Sequence, residues 1–455
     1  MELTKALAKN IVKTQYEDLP KEVKEATKRS ILDTLGVMIP PTTLEKVCIT
    51  LAEMVHEVGG KEESTLIGFG WKAPCWDAAF VNGSLTHVLD YDDTTDEPTH
   101  HPTAHTFPAA LAIAERKGGV SGKDFITAVA LGNDLGVRLV SAPKGEVFSD
   151  YPWFPITTFG TFTATAAAGK MLKLSEEEMI NAFGLSIHRV FGISEAVAAP
   201  GSDMRAIRDG FTNREGVLCA LMAGKGIRAC KDPIETLFKT LYRGEYDPEA
   251  LILNLGKKFR GAEASLKPWP ACRETHGYIQ GALEIVKEND IQPNQIEEVN
   301  LTVGTFGGRH VCEPVAVRQN PQLSIDAKFS MFFTVAVAFT KRKVEISDFL
   351  PDNLKNSKVL DLAKRMKHKI DPTYGVVTPA LIEVKTTDGR FFSKFIKTLY
   401  GHPENPLSQN DLIAKFKDCV RYAKKPLPAE KTEKFIEQIL KLEEVKDIRE
   451  ITNLL

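Results

Sequence analysis

The feature that most constrains this chain is a succession of alanine-rich, weakly charged segments with helical spacing through its first half. Within residues 22–38, Val23, Ala26, Ile31, Leu32, Leu35 and Val37 recur at roughly helical intervals among Lys, Glu and Arg, which predicts an amphipathic helix. Residues 107–117, 122–140, 161–172, 175–190 and 214–223 repeat the theme with more alanine. Such sequences form helices readily and pack closely on one another, so they predict a buried bundle. Pro-containing loops separate them.

The character changes after about Lys267. Residues 294–304 (NQIEEVNLTVG) alternate and are valine-rich, and residues 380–387 and 390–396 form two β-like runs around an Asp-Gly turn, a hairpin signal. Residues 324–339 and 359–367 carry helical spacing, and charged amphipathic helices return after Gly401. The expected fold is mainly α with a smaller α+β domain. A helical domain begins in residues 1–266, an α+β lid domain occupies residues 267–400, and residues 401–455 return to the helical domain.

Composition narrows the function classes. The 455 residues include 58 Lys plus Arg against 60 Asp plus Glu, a balance without the basic excess that phosphate neutralisation needs, so nucleic acid is not an expected partner. The longest nearly uncharged apolar stretch, residues 329–340, falls far short of the roughly 20 residues of a membrane-crossing helix. No signal-peptide pattern opens the chain, and its seven cysteines are scattered without a CxxC pair. Both features suit the cytoplasm, and the second argues against structural zinc.

The segment richest in chemistry is HVLDYDDTTDEPTHHPTAH, residues 87–105, with four of the ten histidines and five acidic residues. Clustered His and Asp suit proton transfer or metal binding. There is no HExxH motif, and Pro102 keeps His101 and His105 from dependably sharing a helical face, so acid–base work is favoured and no metal is assigned. A second segment, KPWPACRETH, residues 267–276, brings Lys267, Cys272, Arg273 and His276 together at the inferred domain junction. Its cations suit a carboxylated ligand. Cys272 reads more readily as a small buried thiol than as a nucleophile. Arg205, Arg208 and Arg214, after the flexible stretch 199–203, read as surface or ion-pair arginines. The glycines of VGTFGGRH, residues 303–310, lack the spacing of a nucleotide-binding loop.

Taken together, the opening YEDLP and ILDTLGV, the run FVNGSLTHVLDYDDT followed by HPT, the KPWPACRETHG junction and the late YGHPENPLS resemble the MmgE/PrpD family nearly end to end. Family members include 2-methylcitrate dehydratases, cis-aconitate decarboxylases and iminodisuccinate epimerases. The resemblance implies a large helical domain built from both chain ends, a smaller α+β lid, usually a homodimer, and an active site between domains. It also implies no metal or organic cofactor in the decarboxylases and epimerases. Asp90, Thr94 and His101 match the catalytic-loop Asp, Thr and His, and Lys267 the junction lysine. Phe154 stands where many relatives carry a histidine before proline, Arg205 and Arg208 replace a lysine and a histidine, and Cys272 replaces the decarboxylase junction histidine. Those departures weaken the case for cis-aconitate as substrate.

The implied activity is a cofactor-independent lyase, a hydro-lyase before a decarboxylase, on a small di- or tricarboxylate. Arg205, Lys267 and Arg273 are expected to bind carboxylates, with Cys272 and Phe154 beside the substrate. His101, oriented by Asp90 or Asp93, transfers the proton, Thr94 donates a hydrogen bond, and His276 is a second acid or base. The alternatives are an epimerase of a dicarboxylate such as iminodisuccinate and a degenerate, non-catalytic carboxylate-binding member.

Overall fold

The periodic segments of the first half form helices, most of which begin earlier than the apolar pattern alone indicates. The structure is a computed structural model that describes residues 3–145, 151–190, 192–198, 202–377 and 379–454. It contains helices α1 (Lys21–Met38), α2 (Cys75–His87), α3 (Pro102–Lys117), α4 (Gly122–Val140), α5 (Pro155–Leu172) and α6 (Met204–Ala223). Proline at the first helical position opens α3 and α5, where its missing N–H costs nothing and its fixed φ suits the turn. Of the stretch read as flexible, residues 199–201 lie outside the described residues.

Two compact units result. One comprises Met1–Val88, Asp92–Ala264 and Gln409–Leu455, and the other Leu89–Tyr91 and Ser265–Ser408. In the first unit, α6 packs along both α2 and α5, and the alanines of α3 and α5 are buried. The approach is close enough to require glycine. A Cβ on Gly210 of α6 would lie 2.2 Å from Ser84 Oγ and 2.4 Å from the Phe80 carbonyl oxygen of α2. The C-terminal helices join this unit through buried charge: Lys415 lies 2.6 Å from Asp33, and Lys28 donates to the Leu440 carbonyl (2.9 Å) and to Glu443 (3.0 Å). A short antiparallel pair, β1 (Ser64–Leu66) and β2 (Trp71–Ala73), is fastened to α3 where Thr65 N–H and Oγ1 donate to Glu115.

The second unit is a four-stranded sheet of order β4-β3-β5-β6, formed by β3 (Ile296–Val303), β4 (Met366–Ile370), β5 (Ala380–Thr386) and β6 (Phe391–Ile396). The expected hairpin is β5–β6, with Ala380 opposite Ile396. Helix α7 (His276–Asn289) lies against the sheet, where a Cβ on Gly281 would meet Ile382 Cγ2 at 2.5 Å. The chain departs from its helical periodicity at two places. The single helix expected over 324–339 breaks before Met331, because Ser330 caps α8 (Met331–Lys341) by accepting Phe333 N–H. The helix expected over 359–367 ends at Ala363, and β4 follows, paired parallel to β3. Only Met366 of β4 is buried, so this polar strand carries no alternation to reveal it.

No single helix among the described residues is long and apolar enough to cross a membrane. Gly210→Ala should destabilise the protein. Overpacking against backbone costs about 1–3 kcal/mol and exceeds the helix propensity gained, up to about 1 kcal/mol. A lowered urea midpoint with an unchanged slope is the expected result; an unchanged midpoint contradicts the close α2–α6 contact.

Candidate functional site

Helix α2 ends at His87 and α3 starts at Pro102, so the His- and Asp-rich segment is a loop held between two buried helices. Most of its polar side chains are inside: Asp92, Asp93, Thr94, His100 and His105 are wholly buried and His101 is nearly so, while Glu97 at the tip is exposed. A solvated capping loop would show the opposite.

In the first unit the carboxylate of Asp92 sits between two imidazoles. His87 Nδ1–H donates to Asp92 Oδ1 (2.9 Å), and His101 Nδ1 lies 3.0 Å from Asp92 Oδ2 while donating to the Asp93 carbonyl oxygen (3.0 Å). The two rings meet edge to face at 4.4 Å. Because both neighbours of His101 Nδ1 are acceptors, the neutral ring must carry its proton on Nδ1, which leaves a lone pair on Nε2. That is the tautomer of a general base.

The orienting carboxylate is thus Asp92, which the sequence reading passed over for Asp90 or Asp93. Asp93 contributes its carbonyl to His101 and turns its carboxyl to Thr103, accepting from the backbone N–H (3.2 Å) and hydroxyl (2.5 Å). Thr94 donates to the Thr95 carbonyl (3.0 Å). His87 and Asp92 are five residues apart across a helix end, a spacing with no fixed geometry, so no motif could have paired them.

A second layer surrounds this relay. Thr212 spends its hydroxyl proton on the Asp209 carbonyl (2.8 Å), so His105 Nδ1–H must donate to Thr212 Oγ1 (2.9 Å). A Cβ on Gly160 would sit 2.6 Å from that ring. Arg208, read as a surface or ion-pair arginine, is buried beside Asp209 (3.3 Å), with its guanidinium 4.5 Å from the Phe154 ring centroid. Phe154 therefore forms a cation–π wall for Arg208. Arg205 is half-buried in the first turn of α6, and Arg214 pairs with Asp77 (3.2 Å). A cleft of about 430 Å³ in this unit is lined by Thr157, Arg189, Met204, Arg208 and Phe211.

Burial and charge set the protonation states. Burial, aided by Arg208 and opposed by Asp92, pushes the His87 imidazole down to about 4; burial and then Arg208 push His105 down to about 3. Burial and neighbouring His105 hold His100 well below the ordinary range. Burial alone would raise Asp92, but the imidazoles of His101 and His87 outweigh it and keep its carboxyl well below the usual carboxylate range. Asp93, buried and beside the Asp92 charge, is pushed up to about 7.

The junction residues lie in the second unit. Asp90 adopts a left-handed backbone (φ 53°), which Asp tolerates better than most residues, and accepts from the buried Lys267 ammonium with both its carbonyl (3.0 Å) and its carboxylate. Tyr91 OH donates to the Pro268 carbonyl (3.2 Å). Arg273 donates to the Tyr400 carbonyl (2.9 Å) and, at 3.4 Å, to His276 Nδ1; His276 Nε2–H donates to the Ala271 carbonyl (3.1 Å). Burial and then the Arg273 and Lys267 charges hold His276 well below its ordinary range. Both of its nitrogens are engaged, an arrangement that steadies Arg273. Burial and Glu274 raise the Cys272 thiol well above its usual range, so it stays protonated. The YGHPENPLS segment meets this junction at Gly401, whose φ of 90° and N–H and carbonyl bonds to Asn405 and Leu266 leave no room for a side chain.

Among the described residues, two groups have spacing suited to a metal ion: His87, Asp92 and His101, and Cys272, Glu274 and His310. The first is the set in which Asp92 lies between the two imidazoles.

Comparison with known proteins places these residues in context. Residues 5–244 match the MmgE/PrpD N-terminal domain and residues 269–444 the MmgE/PrpD C-terminal domain. The chain is 26% identical to the cis-aconitate decarboxylase of Homo sapiens, over 100% of this chain and 94% of that protein. It is 25% identical to the cis-aconitate decarboxylase of Aspergillus terreus, over 88% of this chain and 86% of the relative. The Mus musculus cis-aconitate decarboxylase is likewise 25% identical, over 100% and 93%.

The buried imidazoles predict a pH dependence of stability. Below about pH 6.5 the unfolded chain takes up protons on His87, His100 and His105, whereas the folded rings stay neutral, two of them down to about 4 and 3. Asp93 acts in reverse, since its native carboxyl, at about 7, keeps a proton that the unfolded chain releases above about pH 4. Three imidazoles against one carboxyl leave the unfolded state with more protons, so stability should rise from about pH 4.5 to 6.5. Urea midpoints across that range test this; a flat or falling trend contradicts neutral buried imidazoles.

Proposed function

This chain belongs to the MmgE/PrpD family, and from that premise we propose that it is a lyase acting on a small di- or tricarboxylate by acid–base chemistry at a carbon next to a carboxylate. The observation that carries the reading is the His87–Asp92–His101 relay. It fixes His101 as an Nδ1–H tautomer with Nε2 as the basic atom, and the buried negative charge of Asp92 stabilises the imidazolium that forms when Nε2 accepts a proton. Relatives bearing the name cis-aconitate decarboxylase support lyase chemistry for this chain as well.

In this reading His101 moves the proton at the reacting carbon and Asp92 orients it. Arg205, Lys267 and Arg273 are the cations assigned to substrate carboxylates, and electrostatic stabilisation of an enolate-like intermediate is their contribution. Thr94 is assigned a substrate hydrogen bond. Elimination of hydroxide is favoured over loss of carbon dioxide, because Phe154, Arg208 and Cys272 stand where the decarboxylase pattern has histidines.

Screening methylcitrate, cis-aconitate, iminodisuccinate and related acids by proton NMR should reveal conversion of one of them to an unsaturated or hydrated product. On that substrate, His101→Ala should lower kcat by about 10² or more, the usual range for a lost general base. Asp92→Asn should also lower kcat, with the circular dichroism spectrum retained in both. Near-normal turnover by His101→Ala sinks the assignment. In D₂O, deuterium entering recovered substrate isomers without any elimination product would replace the lyase reading with an epimerase.

A further inference from the structure

In the second unit, Glu274 carries a carboxylate oxygen, Oε2, that is buried and has no hydrogen-bond partner among the described residues. A buried, unanswered carboxylate oxygen is costly and calls for a proton, a donor or a cation. Its other oxygen, Oε1, already collects two groups: the Cys272 thiol donates to it at 3.6 Å, and His310 Nδ1–H donates at 2.5 Å. Sulfur, imidazole nitrogen and carboxylate oxygen all lie within 4.8 Å of one another. Gly307 leaves space beside Oε2, since a Cβ there would come within 3.3 Å of it.

From this convergence we infer a site for one zinc-class divalent cation, held by Cys272 Sγ, a Glu274 oxygen and a His310 ring nitrogen. This inference is independent of the lyase reading. The donor set is that of a transition metal: thiolate and imidazole select zinc, cobalt or a similar ion over calcium or magnesium. With a Zn–S bond of about 2.3 Å and a Zn–O bond of about 2.0 Å, a tetrahedral S–O edge is about 3.5 Å, close to the 3.6 Å observed. The His310–Glu274 pair is closer than such an edge because a proton now lies between them, and ligation exchanges that proton and the thiol proton for the cation.

The surroundings suit a defined site with an open position. Cys272 and Glu274 are buried, whereas the His310 side chain is 37% exposed, which gives the ion an entrance, and three protein ligands leave a fourth position of a tetrahedral ion open. The rings of Phe306 and Phe329 flank His310 at 5.3 and 5.1 Å, and Arg318 donates to the His310 carbonyl (2.9 Å), so the third ligand is held in place. Cys272 and Glu274 bracket Arg273, and ligation would therefore stiffen the turn that presents it. Spacing along the chain concealed the set: 36 residues separate Glu274 from His310, and a search for CxxC or HExxH meets neither.

The test uses the full chain freed of metal with a chelator and titrated with Co²⁺, then with Zn²⁺ in competition. One equivalent of Co²⁺ should bind and show a thiolate-to-cobalt charge-transfer band that Zn²⁺ abolishes. Cys272→Ser should remove the band. His310→Ala, at a partly exposed position where the fold tolerates change, should weaken Co²⁺ binding by at least about tenfold. Cys230→Ser, which removes the exposed thiol, should leave the band unchanged. The His87–Asp92–His101 group contains no sulfur and cannot produce this signal. No band in the parent protein, loss of the band in Cys230→Ser, or unchanged binding in His310→Ala overturns the site.

Discussion

A full negative charge buried at Asp92 is the constraint on which the loop between α2 and α3 depends. An isolated carboxylate taken out of water is so costly that it would ordinarily acquire a proton. Here two imidazoles stand at its two oxygens, and their pull outweighs the burial penalty. That arrangement fixes the tautomer of His101 and the edge-to-face meeting of the two rings. Without that charge His87 Nδ1–H would lose its acceptor, and His101 would keep only the Asp93 carbonyl. The adjacent Asp93 shows the contrast, for burial and then the repelling Asp92 charge outweigh its hydrogen bonds from Thr103, and its carboxyl moves up to about 7.

Such burial is possible because the helices around it are unusually close. Gly210 of α6 meets Ser84 and Phe80 of α2 without a side chain between them, and Gly160 of α5 admits the His105 ring. Packing at this distance excludes water from the loop, and exclusion of water gives the Arg208 charge its reach over His87, His100 and His105. Helix packing and imidazole neutrality are therefore one phenomenon at two scales.

The segment from His87 to His105 serves both units. Leu89–Tyr91 belong to the second, where Asp90 neutralises Lys267, and from Asp92 onward the chain belongs to the first. The left-handed φ of Asp90 is where the backbone changes course. Asp90 is thus matched by the Lys267 ammonium, whereas Asp92 keeps its charge between the His87 and His101 rings that turn their Nδ1 atoms toward it.

Several features were legible in the residues alone. Helical periodicity and alanine content marked the bundle because they are local properties of neighbouring turns, and the Asp-Gly turn marked β5–β6 for the same reason. The concentration of His and Asp in residues 87–105 singled out the segment whose side chains the fold buries and pairs, since those residue types are scarce and serve few purposes when clustered. Tertiary structure alone decided which carboxylate meets which imidazole. Asp90, Asp92 and Asp93 look equivalent in a loop, and only the packing of α2 and α3 sends Asp92 to His101 and Asp93 to Thr103. The same holds for Arg208, whose burial depends on its partners Asp209 and Phe154, and for Cys272, Glu274 and His310, which the fold of the second unit brings together across 36 residues. Sequence determines what a side chain is able to do, whereas contact and exclusion of water, both products of distant segments, determine which of those things it does.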